Sequence, residues 1–152
     1  IKKKIGYYAP AMTYKFSGRH SIENMLISGL NDSVGLYVKP TAFQQRIIKQ
    51  WLALLDLYDI KNTFFNTLST GKQRLVMTAR AMVKQPPLLI LDEPTAGMDD
   101  DSAALLVALV NKFAKETNTA IIFVSHRKEK GLKPKQTFYL TPHETGSTGN
   151  IK

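Results

Sequence analysis

The sequence predicts an α/β fold with a parallel sheet and flanking helices, on three observations. Residues 88–91 and 120–124 are apolar runs of strand length, a helical repeat of apolar residues lies between them at 101–116, and polar or charged side chains follow each run directly. A strand, a helix and a strand in succession make a right-handed parallel crossover. Strands that read as unbroken apolar runs belong in the middle of such a sheet, where helices cover both faces.

Taken in order, residues 3–8 read as a short first strand, and residues 10–20, polar and aromatic with Gly18, as a loop. Thr41 and Gln44 make a capping box, after which Phe43, Ile47, Ile48, Trp51, Leu52, Leu54 and Leu55 recur at helical spacing and define a helix with a wide buried face. A polar loop at 61–67 leads to a second helix. It begins near Ser69, buries Leu75, Val76, Ala79, Met82 and Val83, and stops at Pro86 and Pro87, where the helix loses backbone donors. Strand 88–91 comes next, then helix 101–116 with Leu105, Leu106, Leu109, Val110 and Phe113 on its apolar side, then strand 120–124, ending at Ser125 and His126. Residues 136–140 can add an edge strand, and residues 141–152, rich in Gly, Ser and Thr, are expected to fray.

Composition narrows the function classes. A chain of 152 residues that is 43% hydrophobic suits one globular domain. The absence of cysteine excludes disulfides and thiolate metal sites, and His20, His126 and His143 are too scattered to suggest a metal cluster. The most apolar stretch, residues 103–110, is far shorter than the roughly 18 to 20 residues that span a bilayer. The basic start, Ile1 to Lys4, is not followed by the apolar core of a targeting segment, so a cytoplasmic location is expected. A net charge of +9 invites a nucleic-acid partner. However, the cations are dispersed, only residues 127–135 cluster, and no aromatic is interleaved there to stack on bases, so nucleic acid is not the expected partner.

Two segments carry chemistry. Asp92 and Glu93 directly follow the strand at 88–91, and open α/β sheets bind ligands in the crevice at the carboxyl ends of their strands. Two acids there suit Mg-nucleotide chemistry: Asp92 could hold Mg²⁺ directly or through a water, and Glu93 could polarise a water for attack on a γ-phosphate. Taken alone, the segment is equally an ordinary polar turn. The second segment is Leu68-Ser69-Thr70-Gly71-Lys72-Gln73-Arg74, placed just before a strong amphipathic helix. Ser69 is a natural N-cap, and Gly71 lets an anion approach free N–H groups at the positive end of that helix. Alone, this too is a common capped helix with a glycine in its first turn.

Joined by Ala96-Gly97-Met98-Asp99 and by Val124-Ser125-His126, these segments resemble, in order and spacing, the ABC ATPases over roughly residues 5–140. The resemblance implies a P-loop NTPase-like core (residues 1–10 and 86–140), an α-helical and signature subdomain (about 11–85) and a flexible tail (141–152). It further implies hydrolysis of ATP with Mg²⁺ in a head-to-tail dimer with a second ABC ATPase domain. In that arrangement Glu93 would be the general base or orient the water, Asp92 would support Mg²⁺, and His126 would contact the γ-phosphate. Asp99 would lie in the loop that crosses the dimer interface. Ser69 and the amides around Thr70 and Gly71 would grip the γ-phosphate of the nucleotide on the opposite subunit, with Lys72 and Gln73 completing a variant of the L-S-G-G-Q signature.

Two departures accompany the resemblance. A Walker A loop, G-x-x-x-x-G-K-[ST], is lacking: the only Gly-Lys pair, Gly71-Lys72, is followed by Gln73 and preceded five places earlier by Asn66. In the family that loop lies upstream of the segment starting at Ile5, so the chain is expected to be a carboxy-terminal part of the domain, inactive by itself. The family's Q-loop glutamine aligns at or near Pro10, which has no side-chain donor or acceptor. Segments 24–29, 50–52 and 68–83 most resemble the molybdenum-transport-type ATP-binding proteins of bacteria, implying a membrane permease as partner and transport of molybdate or a related anion. The alternatives are a soluble ABC ATPase acting on nucleic acid or ribosomes, and a non-hydrolytic interaction module.

Overall fold

The computed structural model describes residues 5–16, 18–34, 38–143 and 146–151. Three strands, β1 (Ile5–Tyr8), β2 (Leu88–Asp92) and β3 (Ala120–Val124), form a parallel sheet in the order β1-β2-β3. Leu89 pairs with Gly6 on one side and Ile121 on the other, and Leu91 with Tyr8 and Phe123. Of the expected strand 3–8, residues 3 and 4 lie outside the described residues. Among the described residues four α-helices accompany the sheet: α1 (Ile22–Leu30), α2 (Ala42–Leu54), α3 (Thr70–Met82) and α4 (Asp100–Glu116).

Each helix begins where a side chain satisfies an N–H that the helix cannot. Ser21, Thr41, Ser69 and Asp99 cap α1 to α4, accepting from the N–H groups of Asn24, Gln44, Lys72 and Ser102. At Thr41 the expected box is complete, with the Gln44 side chain accepting from the Thr41 N–H at 3.0 Å. Helix α1 is an element that the periodicity reading above does not single out. It is packed on α3 through Gly29, where a Cβ would lie 2.6 Å from the Arg80 carbonyl oxygen. Residues 10–16, expected as loop, coil into a 3-10 helix, and Phe16 is buried edge-on against Phe65.

The core lies between one face of the sheet and the helices. Tyr8, Leu89 and Leu91 from the strands are wholly buried with Leu26, Ile48, Leu52, Val76, Met82 and Leu106. The other sheet face differs from the expectation of a sheet covered on both sides. Ile5, Tyr7, Ile122 and Val124 are exposed, and Leu88 and Ile90 only half-buried. Two helices are likewise narrower in burial than their periodicity suggests: Phe43 and Leu54 of α2 and Leu105 of α4 face solvent. The expected edge strand is β4 (Phe138–His143), but it forms a separate antiparallel hairpin with β5 (Gly146–Ile151), a strand where fraying is expected.

The difference between buried and solvent-facing apolar positions is testable by unfolding in urea. Leu91→Ala, at a fully buried position, should cost about 2–5 kcal/mol. Leu105→Ala, at a position 62% exposed, should stay within about 0.5 kcal/mol of the parent. Equal costs would contradict the packing described.

Candidate functional site

The site begins at the ends of two parallel strands. Because Asp92 pairs with Val124, the residues that follow, Glu93 on one strand and Ser125-His126 on the other, leave the sheet at the same edge. The Glu93 N–H donates to the Val124 carbonyl at 2.9 Å and prolongs the ladder by one residue. There the chain turns, with Glu93 at φ 48°. This left-handed conformation costs a non-glycine residue about 1–2 kcal/mol and must be held by its surroundings. The turn brings the carboxylate to the imidazole, with Glu93 Oε2 2.8 Å from His126 Nδ1. The Glu93 side chain is 27% exposed and that of His126 72%, so a ligand can reach the pair.

Bonded to the loops that carry the pair is a carboxylate that motif spacing does not reveal. Glu129 Oε1 accepts hydrogen bonds from Thr95 Oγ1 at 2.6 Å, Ser125 Oγ at 2.9 Å and Arg127 Nε at 3.2 Å. Its side chain is 5% exposed. Burial by itself would raise its pKa, but the donors Thr95, Ser125 and Arg127, with the charge of Arg127, together hold it below the ordinary carboxylate value. The available signal in the sequence is a single acid within the basic run 127–135.

The signature segment forms a second cluster. Ser69 Oγ accepts from the Lys72 N–H, Thr70 and Gly71 open α3, and Gln73 Nε2 donates to the Phe65 carbonyl at 3.2 Å, fixing the preceding loop. A Cβ on Gly71 would meet Ser102 Oγ at 2.6 Å, so close approach of α3 to the start of α4 also demands a glycine here. Asp99 stands at the same junction. Its carboxylate caps α4, and the Ser102 backbone N–H, followed by the Ser102 side chain, lowers its pKa. The structure therefore joins Ser69 to Gln73 with Asp99, and Asp92 with Glu93 and His126. Among the described residues no hydrogen bond or ion pair connects Ser69 or Thr70 to Glu93 or His126.

Among the described residues no group of three or more His, Asp or Glu side chains is arranged to hold a metal ion unaided. A strand-end carboxylate such as Asp92 nevertheless fits Mg²⁺ arriving with a nucleotide, since that ion is bound through one or two carboxylates, phosphate oxygens and waters. No helix of the described residues is long and apolar enough to cross a membrane.

A carboxylate paired with an imidazole thus stands at the carboxyl edge of a parallel sheet in an α/β domain. The chain belongs to the ABC transporter family, whose family model matches residues 1–96. It is 38% identical over 130 residues to the ABC transporter ATP-binding protein ModF of Escherichia coli, covering 85% of this chain and 26% of that protein. Another relative is the ABC transporter ATP-binding protein YlmA of Bacillus subtilis, 30% identical over 154 residues, 100% of this chain and 58% of that one. The molybdate import ATP-binding protein MolC of Haemophilus influenzae is 24% identical over 127 residues, covering 84% and 49%. The chain thus spans between about a quarter and three fifths of the length of these relatives. The fold matches that of MJ1267, an ATP-binding cassette of an ABC transporter, at TM-score 0.68 and 20% identity, covering 84% of this chain and 53% of that one. It also matches cbiO1 of Clostridium perfringens, at TM-score 0.65 and 24% identity, covering 83% and 48%.

The Asp99 cap sets a pH dependence. Its lowered pKa means that its contribution to stability is present above the ordinary value of 3.8 and is lost as the pH falls through the lower folded-state value. Asparagine caps nearly as well but does not titrate. Asp99→Asn should therefore be close to the parent in urea at neutral pH and should lack this component of the acid loss. Parallel acid profiles would show that the carboxylate charge does not matter there.

Proposed function

We propose that this chain supplies the hydrolytic edge of an ATPase domain whose turnover drives transport. The observation that carries the reading is the Glu93–His126 pair, 2.8 Å apart at the carboxyl ends of β2 and β3. A carboxylate at this edge can orient a water and accept its proton, while an imidazole fixed by that carboxylate presents its other nitrogen to the terminal phosphate. Asp92, ending β2 one residue earlier, would hold Mg²⁺ through a water. When bound, Mg²⁺ would neutralise charge on the β- and γ-phosphates.

The N-terminal turn of α3 supports the second half of the reading. Ser69, Thr70 and Gly71 present hydroxyl and N–H groups at the positive end of a helix and share no hydrogen bond or ion pair with Glu93, which suits contact with nucleotide held by another domain. Asp99 beside Gly71 then lies at the seam of a head-to-tail dimer. The exposed apolar sheet face around Tyr7, Ile122 and Val124 supports a covering segment that carries the phosphate-binding loop. Without that loop the chain would be inactive. Residues 1–10 and 86–140 serve as the α/β core and residues 11–85 as the helical part that meets a membrane permease at the cytoplasmic side. The relatives named for molybdate and for ABC transport support molybdate or a related anion as cargo.

Glu93→Gln in the intact protein is the test. ATP hydrolysis should fall at least about 100-fold, with ATP affinity within about threefold of the parent, because only proton acceptance is removed. Undiminished hydrolysis would refute the role of Glu93.

A further inference from the structure

We propose that Glu129 is a positioning residue for the Glu93–His126 pair, tying together the two loops that carry them; the inference rests on the function proposed above. Glu93 and His126 belong to separate segments, and only short links can keep their side chains in contact. One link is the Glu93 N–H bond to the Val124 carbonyl. The other is Glu129. Thr95 follows Glu93 by two residues, Ser125 immediately precedes His126, and both hydroxyls donate to the same oxygen, Glu129 Oε1. Arg127, on the other side of His126, donates to that oxygen through Nε, and the Ser125 hydroxyl also accepts from the Arg127 N–H at 3.3 Å.

The location gives the tie its force. Glu129 and Thr95 are buried, whereas His126 is among the exposed side chains. An exposed imidazole beside one carboxylate has weak geometric restraint, since surface ion pairs hold their partners loosely. A buried carboxylate accepting three donors is a much stiffer anchor, because leaving those hydroxyls without an acceptor costs their full desolvation. Glu129 has no contact with Glu93 or His126 among its hydrogen bonds and ion pairs, so it acts through Thr95 and Ser125. Because all three donors converge on one oxygen, glutamine can keep the acceptor while losing the charge. Alanine removes it.

The experiment compares Glu129→Ala and Glu129→Gln with the parent in the intact protein, with Glu93→Gln as a reference. Two readouts are taken: ATP hydrolysis, and backbone hydrogen exchange resolved by segment. Glu129→Ala should lower kcat at least about tenfold with KM for ATP within about threefold, as expected when reacting groups lose alignment but binding persists. Glu129→Gln should recover most of that loss. Exchange should quicken in residues 93–96 and 124–127 of Glu129→Ala but not in α1 or α2, and glutamine should restore it.

Exchange that quickens throughout the chain, or not at all at these loops, overturns the proposal whether or not hydrolysis is measurable. An unchanged kcat in Glu129→Ala, where Glu93→Gln is inactive, overturns it as well while leaving the role of Glu93 standing. If Glu93→Gln itself retains hydrolysis, the functional reading fails, and the exchange data still decide whether Glu129 ties the loops.

Discussion

The site depends on the parallel register of β2 against β3. Pairing Asp92 with Val124 ends both strands at the same level, and the Glu93 amide then takes the Val124 carbonyl. A slip of one residue would exchange the buried and exposed faces of the strand, moving Leu89 and Leu91 out of the core. It would also separate Glu93 from His126. The packing of two wholly buried leucines thus fixes the relation between two side chains that are themselves accessible. The left-handed turn at Glu93 is held by the same ladder bond and by Thr95, two residues later, which is anchored on Glu129.

Much of this is legible in the sequence. The apolar runs 88–91 and 120–124 give parallel strands at nearly the expected residues, and the caps at Ser69 and Thr41 start helices where expected. These features are local: a strand-length run of Leu and Ile, or a Thr-x-x-Gln box, contains its own instruction. What escaped depends on packing between distant segments. Leu105 and Phe43 follow helical periodicity yet face solvent, because periodicity gives the direction of an apolar stripe but not how widely its neighbour covers it. The sheet face bearing Ile122 and Val124 was expected to be buried for the same reason. The hairpin of Phe138–His143 with Gly146–Ile151 requires pairing that a Gly- and Ser-rich composition conceals.

The candidate site divides in the same way. Glu93 is singled out by its place after an apolar run and His126 by the family resemblance, and the structure puts them 2.8 Å apart. Gly71 was read as an opening for an anion, yet Ser102 shows that helix packing alone requires it, so its absent side chain is weak evidence for a ligand. Glu129 stands out only as an acid in a basic run, because its meaning lies in Thr95, 34 positions away in sequence. The Tyr8 hydroxyl and the Arg74 Nε and Nη1 are buried without a well-formed hydrogen bond, and burial raises the Tyr8 pKa against the opposing pull of Thr13 and Arg74.

The central claim is that the Glu93–His126 pair faces a terminal phosphate in transfer. It is tested most directly by determining the structure of the intact protein with Mg²⁺, ADP and orthovanadate, which mimics the phosphoryl group in flight. The account predicts vanadate oxygens within about 2.6–3.2 Å of the His126 ring, and the attacking-side oxygen within that range of the Glu93 carboxylate. Vanadate bound elsewhere, with Glu93 and His126 paired only to each other and facing solvent, would contradict it.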